Sequence, residues 1–261
     1  MRRTSWRGAG RVSLRLGLLL WALWSVPMTG QSGTQNGEWR TYGGDLASTR
    51  YAPLDQIDAG NFNTIEVAWR FKTDSLGPRP EFNFQATPLM AGGRLYLTAG
   101  TRRAAVALDG ATGEMLWMHS LNEGPRGEAA PRQLSGRGLA YWTDGREERI
   151  VYVTPGYQMV ALDAKTGDPV PGFGKDGRVD LKLEMDQQMD LVTGEVGLHS
   201  APVIARDVII IGAAHRPGSA PRGKTNEKGY IRGYDVRTGK RLWIFHTIPQ
   251  PGEFGNETWL N

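Results

Sequence analysis

The sequence predicts an all-β protein built as a β-propeller, on three observations. A short unit recurs: residues 105–117 read AVALDGATGEMLW, residues 159–167 read MVALDAKTG, and residues 231–243 read IRGYDVRTGKRLW. The composition is dense in turn formers, with 35 Gly and 15 Pro in 261 residues, alongside many Val, Thr, Tyr and Trp. Each repeat closes a group of about four short strands, the content of one propeller blade. A β-unit recurring at this spacing outweighs any single motif in setting the fold.

In the recurring unit the turns are Asp-Gly-Ala-Thr-Gly from Asp109, Asp-Ala-Lys-Thr-Gly from Asp163 and Asp-Val-Arg-Thr-Gly from Asp235. Asp bonds its own downstream backbone and Gly supplies the positive φ that ends such a turn. The shared context makes these three carboxylates structural. Trp69, Trp117, Phe173 and Trp243 hold corresponding positions 48, 56 and 70 residues apart, a drift that variable loops account for.

In chain order, residues 1–30 carry the parts of a secretory signal: an Arg-rich start, an apolar run LGLLLWALWSV over 16–26, then small and polar residues. About eleven apolar residues are short for a bilayer span, and a single membrane anchor, hence membrane association, is the competing reading. Arg2-Arg3 is a weak match to twin-arginine export. Residues 31–38 read as a polar linker and 39–261 as the propeller. The stretch 39–54 is aromatic and turn-rich, 57–65 a short helical or irregular connection, and 67–71 (VAWRF) a strand.

Three strand groups come next: 85–117, 138–167 and 200–243. The count is three blades and the start of a fourth. A propeller needs four or more to close, so the chain reads as a partial one.

Charge and cysteine content exclude several function classes. The formal +4 misleads, because Arg2, Arg3, Arg7, Arg11 and Arg15 all precede the first acidic residue, Glu38. Without those five, 26 of the 31 basic residues face 27 acidic ones, a net of −1. No nucleic-acid footprint remains. The absence of Cys removes disulfides, thiol nucleophiles, thiolate-held clusters and a covalently attached c-type haem.

Residues 218–225 fit the phosphate-loop pattern G-x-x-x-x-G-K-T, but residues 226–231 (NEKGYI) lead into a strand instead of the required helix. His119, His199, His215 and His246 lack zinc-type spacing. His199 stands out, near a blade end. The acidic run 184–190 lacks the Gly and ligand spacing of a calcium loop. Arg137, flanked by Gly136 and Gly138 at the mouth of a strand, offers a bidentate fork for a carboxylate where the backbone can approach closely.

These residues resemble a known family, the quinoprotein dehydrogenases that use pyrroloquinoline quinone (PQQ). The likeness runs in order through WRTYGGDLASTRYAPLDQID from Trp39, QATPLM from Gln85, RGLAYW from Arg137 and the repeated ALDxxTGxxxW units. It implies an eight-bladed propeller of which this chain holds the N-terminal three to four blades. It also implies a PQQ-dependent oxidation of an alcohol or sugar, aided by calcium. Electrons would pass to a quinone or cytochrome acceptor, in the periplasm.

By the same likeness Arg137 grips the quinone's carboxylates. Gln85 stands where a Glu often contacts the quinone, and His199 where a Thr does. Pro131 and Arg132 occupy the positions of the adjacent cysteines found in the alcohol-oxidising branches, so that disulfide ring is absent. The calcium-binding acid is expected where Pro217 falls, leaving no metal ligand to assign. The stacking Trp and the catalytic Asp are expected beyond Asn261. The competing reading is a non-catalytic propeller that serves as a protein–protein scaffold.

Overall fold

A computed structural model describes residues 34–215 and 226–259. The leader-like residues 1–30, the phosphate-loop-like stretch 218–225 and Pro217 lie outside the described residues.

The three repeats become three four-stranded antiparallel sheets. The first holds β1 (Leu89–Ala91), β2 (Arg94–Ala99), β3 (Ala104–Asp109) and β4 (Met115–His119), in that order. A short helix, α1 (Pro125–Ala129), leads to the second: β5 (Ala140–Thr143), β6 (Glu148–Val153), β7 (Gln158–Asp163) and β8 (Arg178–Asp180). The third repeats the plan around an insertion. A strand pair of β9 (Val196–Gly197) and β12 (Ala214–His215) flanks a sheet of β10 (Val203–Ala205), β11 (Val208–Ile211), β13 (Ile231–Asp235) and β14 (Arg241–Phe245). The first strands of the sheets, β1, β5 and β10, are neighbours, which is the inner ring of a propeller.

Alternation along the strands builds the core. In β6, Ile150 and Tyr152 face the first blade and pack with Leu89, Tyr96 and Trp117, while Val151 and Val153 face the third and pack with Ile209, Ile211 and Tyr234. In β3, Ala105 and Ala107 join the first of these layers, and Val106 and Leu108 join Trp69, Phe71 and Leu76 on the opposite face. Both faces of a middle strand are therefore buried, and so these strands read as near-continuous apolar runs.

The recurrent turn is the joint between blades. Asp109 Oδ1 accepts the N–H groups of Ala111 (3.0 Å) and Thr112 (2.8 Å). Asp163 and Asp235 do the same in their own turns. The turn ends on Gly113, Gly167 or Gly239, at φ of 73°, 78° and 70°. Each glycine receives an aromatic ring from the preceding unit. A Cβ on Gly113 would lie 2.5 Å from the Trp69 ring, one on Gly167 2.7 Å from the Trp117 ring, and one on Gly239 3.2 Å from Phe173. The indole N–H groups of Trp69 and Trp117 donate to the carbonyls of Gly110 (3.3 Å) and Ala164 (3.0 Å), the residues just after the turn aspartates.

One expected strand does not form. Residues 67–71 form no regular element and pair with no strand among the described residues. A strand needs a hydrogen-bonded neighbour; this segment is fixed instead by Trp69 on the Gly113 turn. The 57–65 connection is irregular with one 3-10 turn, Phe62–Thr64. The opening segment hydrogen-bonds to the inner strand: Trp39 and Met90 exchange both backbone bonds, at 2.8 and 3.0 Å.

Arg126 of α1 ties the loop end of the second blade. Its guanidinium forks onto Asp180 (2.7 and 2.6 Å) and also donates to Gly156 O (2.7 Å). Burial pushes the Asp180 carboxyl up, but the fork and the Lys182 N–H hold it below the usual carboxylate range. A depressed carboxyl stabilises the fold above its unfolded pKa, and that share is lost as pH falls through the folded value. Arg126→Met is therefore expected to cost about 1–3 kcal/mol near pH 7, with the deficit against the parent shrinking below pH ~4. Urea unfolding of both proteins across pH reads this out.

Candidate functional site

Gln85, Arg137 and His199 lie four, three and four residues before β1, β5 and β10. They sit at equivalent places, the mouths of three adjacent inner strands, and the fold brings all three together. The Nε2 of His199 is 2.8 Å from Gln85 Oε1. The backbone stitches the same three points. Thr87 N–H donates to Arg137 O (3.1 Å), and Arg137 N–H donates to His199 O (2.9 Å).

The glycines around Arg137 are there for close approach. Gly138 has φ 122°, and a Cβ on it would stand 3.0 Å from the Thr87 carbonyl oxygen. Gly136 has φ 65°, and a Cβ on it would stand 2.8 Å from Arg103 Nε. With side chains excluded at both positions, Arg137 is held by its backbone and its guanidinium stays outside. Gln85 and Arg137 are exposed and His199 is half-buried, so the trio forms an open face.

The face is rich in donors. Since Gln85 Oε1 is an acceptor, His199 Nε2 carries the proton, and Nδ1 is left buried with no partner. Burial pulls the His199 pKa down, and the nearby Arg103, Arg132 and Arg137 pull it further the same way. The ring is therefore neutral at pH 7. With its oxygen engaged, the Gln85 amide keeps its NH2 to donate. Arg132 lies beside Gly197, and its Nε is buried without a partner. Together these groups suit a planar molecule bearing carboxylates and carbonyl oxygens.

The structure adds residues that the sequence did not single out. Tyr42 lies beside Arg137, whose guanidinium holds the phenol below the ordinary tyrosine value, with Thr87 acting in the same direction. Removing that cation in Arg137→Ala is expected to let Tyr42 titrate at higher pH, visible as a shifted phenolate band in an ultraviolet titration. The segment around Tyr42 covers the inner strands. A cavity of about 90 Å³ lies between it and residues including Leu139, Tyr141, Pro202 and Val203. Glu81 bridges two loops, accepting from Gly100 N–H (2.8 Å) and Ser135 N–H (2.9 Å).

The other histidines are engaged elsewhere. His119 Nδ1 meets the Tyr152 hydroxyl at 2.9 Å, His215 meets Glu227 O at 2.9 Å, and His246 Nδ1 meets Glu253 at 2.7 Å. The acidic run 184–190 is a loop in which Asp186 pairs with Arg241 (3.1 Å) and Asp190 caps its own turn. Among the described residues no group of three His, Cys, Asp or Glu side chains is placed to hold a metal ion. None of their helices is long and apolar enough to cross a membrane.

Comparison with known proteins gives a consistent result. Residues 39–261 match the family described as PQQ: glucose/ethanol/alcohol dehydrogenase, β-propeller domain. The chain is 30% identical over 237 residues to the glycerol dehydrogenase large subunit of Gluconobacter oxydans (strain 621H), covering 87% of this chain and 30% of that protein. It is 30% identical over 226 residues to the quinohemoprotein alcohol dehydrogenase ADH IIB of Pseudomonas putida, covering 86% of this chain and 28% of that protein. Among solved structures it is similar to the quinohemoprotein alcohol dehydrogenase of Comamonas testosteroni. The TM-score is 0.62 and the identity 26%, over 83% of this chain and 28% of that one. The chain thus spans under a third of the length of these relatives.

Proposed function

The chain belongs to the PQQ dehydrogenase β-propeller family, and we propose that it forms the cofactor-gripping part of a quinoprotein dehydrogenase acting on an alcohol, polyol or sugar. The observation that carries this reading is the convergence of Arg137, Gln85 and His199 at three adjacent strand mouths. The relatives' names, which include glycerol dehydrogenase, alcohol dehydrogenase (quinone) and quinoprotein glucose dehydrogenase, support that substrate range.

The residues present fit PQQ. Arg137 would hold a carboxylate through two parallel N–H bonds, the Gln85 NH2 would donate to a ring oxygen, and the orphaned His199 Nδ1 would accept a bond from the cofactor. When bound, PQQ supplies the two-electron oxidation of the substrate carbon. The protein groups keep the cofactor in one plane and one orientation. Because His199 is neutral with its proton on Nε2 toward Gln85, it orients the amide and adds no charge. Gln85 in place of the usual Glu removes one negative charge from a face that must receive an anion.

Calcium belongs to the same proposal, with no ligand assigned among the described residues. The electron acceptor is proposed to be a respiratory quinone or a cytochrome. Export to the periplasm is proposed from the leader-like residues 1–30, and cell fractionation tests it.

The direct test is a PQQ titration of the intact protein, following Trp fluorescence and the reduction of a dye by ethanol, glycerol and glucose. Saturable quenching with substrate-dependent dye reduction supports the enzyme. The absence of both responses would overturn it in favour of a binding scaffold.

A further inference from the structure

Directly under the candidate face lies a cation that neither the repeat nor the family motif points to. Arg103 stands in the loop between β2 and β3, with φ 53°, and is only 3% exposed. Its guanidinium is ringed by backbone carbonyls. Nε donates to Leu134 O (3.0 Å), Nη1 to Val153 O (3.0 Å) and Leu198 O (2.7 Å), and Nη2 to Arg132 O (2.9 Å) and Gln133 O (3.4 Å). No carboxylate among the described residues bonds it; Glu123 and Glu81 act only through space. Burial pulls its pKa down to about 10, so it stays charged at neutral pH.

The five carbonyls come from three places that must keep register. Arg132, Gln133 and Leu134 form the run that leads into Gly136-Arg137. Leu198 immediately precedes His199. Val153 ends β6. Only a guanidinium offers five donors in a fixed plane, so one side chain can fasten all three. Contact with the face is direct, because a Cβ on Gly136 would stand 2.8 Å from Nε and 2.9 Å from Cζ. The charge reaches the face as well, since Arg103 helps to lower the His199 pKa. A buried cation without a bonded counter-ion favours an anion placed just above it.

We infer that Arg103 is a positioning residue of this face: its buried fork locks the loop carrying Arg137 to the backbone carrying His199, and its charge favours a carboxylate-bearing occupant. Only the identity of that occupant rests on the PQQ reading.

The test compares Arg103→Lys, which keeps the charge and loses the fork, with Arg103→Met, which loses both, in the intact protein. Without cofactor, amide exchange at Thr87 and Arg137 is expected to quicken ten-fold or more in both variants. The amide of Val236, bonded to Asp207 O in the third blade, should be unchanged. The His199 imidazole, followed by NMR, is expected to titrate at higher pH in Arg103→Met and near its parent value in Arg103→Lys. With PQQ, affinity is expected to fall five-fold or more in Arg103→Lys and further in Arg103→Met.

Should Arg103→Met fail to fold, Arg103→Gln, which also loses the charge and the full fork, takes its place and is expected to give the same exchange and affinity losses. Unchanged Arg137 exchange in folded Arg103→Lys overturns the inference, whatever the cofactor does. Faster exchange and a shifted His199 in a protein that binds no PQQ would uphold Arg103 and overturn the cofactor reading alone.

Discussion

Trp117→Ala is expected to cost the intact protein about 3–5 kcal/mol of stability, the range for removing a buried large aromatic ring. The indole is 9% exposed and lies over Gly167, the positive-φ end of the next blade's turn. Its ring stands 6.0 Å from that of Tyr96, whose hydroxyl donates at 3.0 Å to the same Ala164 carbonyl that takes the indole N–H. That shared acceptor decides the mechanism. Alanine leaves Ala164 O still bonded to Tyr96, so the loss is a cavity between two blades and not an orphaned polar group. Trp117→Phe should therefore cost only about 1–2 kcal/mol, the lost indole N–H bond and a small void. Phe173 already fills the equivalent place against Gly239. Urea unfolding of the two variants measures the difference, and a loss under about 1 kcal/mol for the alanine, well short of the cavity range, would mean that the ring does not join the blades.

The joint between blades was legible because it repeats. Asp, Thr-Gly and an aromatic residue recur at matching places, and the repetition marks them as structural before any contact is known. The strand groups were legible for the same reason, since burial on both faces leaves unbroken apolar runs such as Val106 to Leu108. Residues 67–71 have the composition of a strand, but a strand is a pairing, and sequence shows the segment without its partner. In the candidate site, Arg137 stood out through its flanking glycines, and Gln85 and His199 through the family likeness. Their meeting depends on three loops from three blades. Tyr42, Glu81 and Arg103 were not legible. Each does its work through a partner distant in sequence, and Arg102-Arg103 in a loop after a strand looks like solvated surface. A buried arginine fed by five carbonyls leaves no local pattern, because its partners are backbone atoms that every residue has.

Arg137→Ala is expected to weaken PQQ binding ten-fold or more, from loss of a charge-assisted pair worth roughly 1.5–3 kcal/mol. The variant is informative because the fold does not use the side chain to hold the strand mouths. The bonds from Thr87 N–H and to His199 O are made by the Arg137 backbone and survive the change. The glycines on either side keep that backbone in place. What disappears is the fork proposed to meet the ligand and the cation beside Tyr42. Arg137→Lys separates charge from geometry: it keeps the cation but presents a point charge in place of a planar fork, so its loss should be intermediate. Fluorescence titration of the two variants against the parent, at matched ionic strength, gives the ratios. Equal loss in Lys and Ala would mean that the fork matters and the charge does not. Parent-like affinity in Arg137→Ala would remove Arg137 from the site and leave Gln85, His199 and the buried Arg103 to account for any binding.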